Sequence, residues 1–214
     1  MKNVITLMLG LFLTTSAYAD ITGNIGYQND YVFRGVNQTQ SGGSLSTQVI
    51  VDSNGFYGGV SASQVDFGDE VDSDWLGMLN AGFAFAFNQN VAIDIGVLSH
   101  HFDNDVFEQM DEVYGGVSVG SFSGYVYHNV DNQDNFAELL YDFYFGDGTL
   151  QLVYGYHDEN VDYFQVRGNY SFNDFTIFTT IGYSDQNTVA DFLVGDLGQS
   201  DFLENISVGF RYNF

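Results

Sequence analysis

Three histidines lie near the ends of strand-like segments: His100, His128 and His157. Side-chain parity puts His100 and His157 on one face, and His128 reads as sharing it. Imidazoles gathered at one rim would suit a transition metal. Their commoner role is that of polar groups at a wet boundary, so we expect no resident metal and no other cofactor. His101 has the opposite parity and reads as interfacial. Asp94, Glu138 and Asp142 share a parity with Arg167 and Arg211. Paired carboxylates can do acid–base work, but beside two guanidiniums the simpler expectation is an ion-pair network. No serine sits in a nucleophile motif and no histidine falls near mid-strand, so we expect no enzyme. Stretches 66–74 and 103–112 are rich in carboxylates that would suit Ca²⁺ or Mg²⁺, without EF-hand spacing. Arg34 lies in a polar connection, where Asp30 is its nearest acidic partner.

The elements that position these residues show best at the C-terminus. Ile206, Val208, Phe210, Tyr212 and Phe214 share one parity, and Ser207, Gly209, Arg211 and Asn213 the other. A strand turns successive side chains to opposite faces, so one face is apolar and the other polar or small. The pattern recurs over 21–28, 44–51, 56–67, 75–87, 91–102, 111–119, 122–129, 135–145, 149–157, 162–172, 175–183 and 205–214. In the third segment the apolar phase switches near Gln64, which predicts a bulge. Tight turns such as Asn54-Gly55 and Asn173-Asp174 alternate with longer connections. Twelve strands return both termini to one side and place every short turn there, the asymmetry of outer-membrane barrels. Phe56, Phe87, Phe145, Phe172, Phe175 and Phe214 fall at the turn end, and Tyr27, Trp75, Phe102, Tyr127, Tyr156, Phe164 and Tyr183 at the loop end, as two interfacial girdles would. The expected fold is all-β: a transmembrane up-and-down antiparallel barrel of about twelve strands, with short periplasmic turns and longer extracellular loops.

Composition agrees. Residues 1–19 read as a cleaved signal peptide: Lys2, an apolar run from Val4 to Leu13, and Ala17-Tyr18-Ala19. That run is too short to span a bilayer as a helix. Residues 20–214 then form one barrel domain, exported and built without cysteine or proline. Beyond residue 19 there is no lysine, and Arg34, Arg167 and Arg211 face all 28 acidic residues, a net charge of −25. Such a chain lacks the cations that nucleic acid requires. Disorder is excluded by 45% hydrophobic residues at regular spacing.

Two stretches carry a resemblance. Asn29-Asp30-Tyr31-Val32-Phe33-Arg34-Gly35-Val36-Asn37-Gln38-Thr39-Gln40 and the segment from Gly55 to Phe67 are similar to the N-terminal hallmarks of TorF-family putative porins of proteobacteria. They cover about a quarter of the chain. The resemblance implies an outer-membrane barrel and supplies no substrate and no catalytic residues. A terminal strand ending in Phe214 likewise resembles the signal that outer-membrane proteins present to their assembly machinery.

The resulting expectation is a porin-like channel for passive diffusion of small polar or cationic solutes. Its pore-lining candidates are Asn80, Asp94, His100, Glu138, Asp142, Gln165, Arg167 and Arg211. The alternative is a structural or adhesive barrel with a side-chain-filled lumen, since twelve strands lie between filled and open sizes. Inward Gly, Ser, Ala and Asn favour the channel. The expected partners are lipid and lipopolysaccharide, the latter through divalent cations because lysine is lacking.

Overall fold

A computed structural model describes residues 19–39, 42–67, 74–103, 109–157, 161–184 and 203–214. The expected signal segment therefore lies outside the described residues, apart from Ala19, as do most acidic positions of the outer loops. Among the described residues fourteen strands occur: β1 Asp20–Gln28, β2 Val32–Phe33, β3 Val36–Asn37, β4 Ser44–Ser53, β5 Phe56–Gln64, β6 Trp75–Asn88, β7 Val91–Phe102, β8 Met110–Val119, β9 Phe122–Asn129, β10 Asn135–Phe145, β11 Gly148–His157, β12 Val161–Phe172, β13 Phe175–Ser184 and β14 Leu203–Asn213. Twelve of them close into a barrel in which each pairs with its sequence neighbours, and β1 pairs with both β4 and β14. The short hairpin β2–β3 stands apart from the wall.

Closure matters because a backbone group left unpaired in hydrocarbon costs several kcal/mol. The seam is antiparallel, from Asn24↔Asn213 to Gln28↔Gly209. Reciprocal Gly23–Phe214 backbone bonds of 2.9 Å in each direction finish it. The outward face is a band of exposed apolar side chains, including Leu139, Ile95, Phe210 and Val208. Water would not tolerate so continuous an apolar surface, whereas a bilayer accommodates it. The turn-end girdle of Phe56, Phe87, Phe145, Phe172, Phe175 and Phe214 is exposed throughout. At Asn54 and Gly55 both φ angles are positive, the geometry that a two-residue hairpin turn requires.

Two expectations need correction. Phe102 and Tyr127 do not join the loop-end girdle, because both carry inward parity and pack against buried lumen clusters. There is also no bulge near Gln64, since β5 runs in continuous register with β4 and β6. The shift falls instead between Ala86 and Asn88 in the β6–β7 ladder. The apolar phase changes at Gln64 for another reason: Val65 and Phe67 extend the inward row of β5 and are buried against Leu76 inside the barrel.

Candidate functional site

The connection between β1 and β4 folds into the lumen. Its ends are stitched to the wall: Asn29 N–H donates to the Val208 carbonyl (3.1 Å) and Asp66 N–H to the Gln38 carbonyl (2.8 Å). The Ser207 hydroxyl also donates to the Asp30 carbonyl (2.5 Å). Between these stitches the chain makes the β2–β3 hairpin, with Phe33 paired to Val36. Its tip is Arg34-Gly35, with φ of 47° and 83°. A left-handed arginine is uncommon and persists where contacts hold it. Gly35 is needed twice over, because a side chain there would also collide with the Tyr163 ring.

The contact that holds the tip is a bidentate ion pair. Arg34 Nη1 and Nη2 donate to Glu112 Oε1 and Oε2, each at 2.7 Å. The guanidinium lies over the rings of Phe33, Tyr127 and Phe136 at 5.1, 4.6 and 4.3 Å. Burial works against its charge, but the Glu112 hydrogen bonds and carboxylate outweigh that and raise its pKa above the ordinary arginine value. Arg34 thus pairs with a residue 78 positions away. The expected partner Asp30 instead accepts from Asn29 and Asn37. Glu112, grouped in the sequence with an acidic loop, stands on β8 with the inward parity of Tyr114, and it is buried. Apolar clusters flank the hairpin: Val65, Phe67 and Leu76 on one side, and Phe136, Val153 and Tyr163 on the other.

The eight residues expected to line a pore all carry inward parity, but they do not form one network. Arg167 lies 3.7 Å from Glu138, which also accepts a bond from the Tyr163 hydroxyl. Gln165 accepts from Arg167 (2.7 Å) and is fully buried. Asp142 accepts from Gln151 (2.9 Å). Asp94 accepts from the Tyr57 hydroxyl (2.6 Å) rather than from an arginine. Asn80 faces Gly59 on β5. Arg211 packs against Phe178, 5.6 Å from its ring centroid, and its buried Nε has no hydrogen-bond partner among the described residues. The expected ion-pair network therefore reduces to Glu138–Arg167, because Asp94 and Arg211 stand on walls far apart in the strand order. Around Arg211, at the turn end, lies a cavity of about 460 Å³ lined by Thr22, Asn24, Gln48, Ile50 and Asn213 among others.

The histidines do not converge. His100 is fully buried, with Nε2 3.4 Å from Glu112 and its ring 5.4 Å from Phe33. His157 pairs with Phe136 and shares its inward parity. His128 is the exception: it pairs with outward Val113, and Nδ1 lies 2.9 Å from Asn135 Oδ1. One step along β9 reverses the face, so inward parity belongs to Tyr127. His101 also faces outward, with Nε2 3.0 Å from the Ser99 hydroxyl. Among the described residues no three His, Asp or Glu side chains gather closely enough to hold a metal ion.

As lumen residues, sequence reasoning passed over Tyr57, Phe136 and Tyr163, and it assigned Glu112 to an acidic loop and Tyr127 to the outer girdle. Glu112 was legible, because continuing the β8 alternation by one step places it inward. The aromatics were not, since a ring suits a lipid belt and a packed lumen equally well.

Against known proteins, the family model described as "Bacterial protein of unknown function (Gcw_chp)" matches residues 13–212. No protein of curated function matches the chain. Among solved structures, the KdgM porin superposes with a TM-score of 0.60 at 12% identity, over 92% of this chain and 99% of that one. The KdgM porin in complex with disordered oligogalacturonate gives the same TM-score of 0.60, at 12% identity and over the same shares of both chains. The likeness is one of fold: this barrel is built as outer-membrane porins are.

Proposed function

We propose that this chain, which belongs to the Gcw_chp family of bacterial proteins of unknown function, is an outer-membrane channel for passive diffusion of small polar or cationic solutes, narrowed on its outer side by the β2–β3 hairpin. One observation carries the reading: the hairpin is clasped to the wall by Arg34 and Glu112, while a cavity with Arg211, Gln48 and Asn24 in its lining opens at the turn end. A folded-in loop sets a bore without opening the strand ladder, so selectivity and wall stability are separated. Oligogalacturonate is not carried over from KdgM, because a polyanion would meet Asp94 and Asp142, which no arginine pairs with among the described residues. The resemblance to TorF-family putative porins, on residues 29–40 and 55–67, supports the same reading.

Residues 1–19 serve as the signal peptide, and Phe214 closes the strand read by the assembly machinery. Divalent cations bridge lipopolysaccharide phosphates to the outer carboxylates. The chain does no chemistry on its solutes. Ion conductance of the purified protein in planar bilayers tests the channel; steady, voltage-independent closure at all salt concentrations would refute it. A second reading rests on the buried lumen clusters around Leu76 and Val153, which would make the barrel a closed structural element. The same recording separates the two.

A further inference from the structure

The inner lumen carries an aromatic wall. Tyr57 on β5, Tyr114 on β8 and Tyr125 on β9 all have inward parity and are half-buried. Each is the direct cross-strand partner of a glycine: Tyr57↔Gly82, Tyr114↔Gly96 and Tyr125↔Gly116. A methyl group on any of these glycines would collide with its tyrosine. Each side chain therefore lies down across the neighbouring strand instead of standing into the lumen, and covers backbone that glycine leaves bare. Each is held against the wall and left partly exposed to the bore. The Tyr57 and Tyr114 hydroxyls bond to each other, and Tyr57 donates to Asp94 Oδ1. Tyr125 continues through Tyr127, at 6.3 Å between centroids and 29° between planes, to the hairpin clasp.

We propose that this wall is a binding track for neutral or cationic sugars, a deepening that rests on the channel reading above. Flat aromatic faces carry negative charge density and attract the polarised C–H groups of a pyranose ring. Carboxylate and amide groups beside them accept hydrogen bonds from its hydroxyls. Asp94 supplies such an acceptor at the centre of the arc. Asp94 itself and Asp142 on the adjacent wall, neither of them paired with an arginine among the described residues, make the lumen unfavourable for an acidic sugar. A polyether of equal size has hydroxyl donors only at its two ends and no pyranose ring to lie on an aromatic face, so it should not be retained.

The test uses the full mature barrel, with maltohexaose as probe, polyethylene glycol of similar size as size control and trigalacturonate as charge control. Two readouts are taken: blockade of ion current in planar bilayers, and quenching of intrinsic tyrosine and tryptophan fluorescence in detergent. Maltohexaose should block and quench saturably, with the other two at least tenfold weaker. The Tyr57→Leu/Tyr114→Leu/Tyr125→Leu variant should raise the half-blocking concentration at least tenfold, and the matching triple Tyr→Phe variant, which keeps the rings, less than threefold. Folding is followed by heat-shifted mobility on gels. If the triple Leu variant does not fold, Tyr125→Leu with Gly116→Ala refills the wall with a side chain and is measured instead, expecting at least a threefold loss. A parent that passes no current fails the channel reading alone, and the fluorescence titration then decides the sugar track. Equal blockade by polyether, stronger binding of trigalacturonate, or Leu variants that bind as the parent does would each overturn the proposal.

Discussion

Arg34→Met removes the guanidinium that seats the hairpin while keeping an unbranched apolar chain against Phe33, Tyr127 and Phe136. It leaves Glu112 buried, 5% exposed, with His100 Nε2 at 3.4 Å as its remaining polar side-chain neighbour among the described residues. Stripping one partner from a buried ion pair costs about 3–5 kcal/mol, because a charge is left uncompensated. At roughly 1.4 kcal/mol per tenfold, the population of unseated hairpin should rise by about two to three and a half orders of magnitude. The barrel wall should survive, since no ladder hydrogen bond involves Arg34. The chain has no cysteine, so Gln38→Cys gives a single reporter at a position only 3% exposed. In the parent background it should react slowly with an impermeant maleimide; with Arg34→Met it should react at least tenfold faster, and single-channel conductance should grow. Glu112→Gln should act in the same direction. The double variant Arg34→Met/Glu112→Leu should be milder than either single change, because no orphan charge remains. Labelling and conductance unchanged in both single variants would refute the clasp.

Three further outcomes follow from the same geometry. Leu79→Arg, on the lipid face, should lower folding stability in vesicles by about 2–4 kcal/mol, and Asn80→Arg, one residue on and facing the lumen, by much less; equal losses would undo the parity of β6. Reversal potentials under a KCl gradient should favour K⁺, because Asp66, Asp74, Asp103, Asp131 and Asp134 lie at the outer end and Arg34, neutralised by Glu112, does not oppose them; the bias should fade as salt screens it over about 8 Å at physiological ionic strength, and a Cl⁻ preference at low salt would count against it. In membranes containing lipopolysaccharide, a chelator should lower the melting temperature if divalent ions bridge phosphate and carboxylate, and an unmoved transition would remove that role.

Alternation, turn chemistry and the count of strands were legible in the chain. Ile206, Val208 and Phe210 face out, and Ser207, Gly209 and Arg211 face in, because a strand can only alternate. For the same reason β7, β9 and β10 span the segments that alternation marks out in the sequence, 91–102, 122–129 and 135–145. A charge substitution shows where that logic stops. Parity alone puts Leu152 on lipid and Val153 on the lumen, where an arginine should be well tolerated. Val153 is indeed inward, yet it is fully buried against Phe136 and Tyr163, so an arginine there would displace packed rings. Alternation decides which face a residue takes but not what fills the space in front of it. That depends on residues 29–39 folding inward, which no local pattern encodes. Their seat is assembled from Glu112, Tyr163, Ser207 and Val208, drawn from three strands distant in sequence, and those strands become neighbours of the hairpin only when the barrel closes. Hence Arg34 looked like a partner for Asp30 four residues away, and only the closed wall brings Glu112 within 2.7 Å of it.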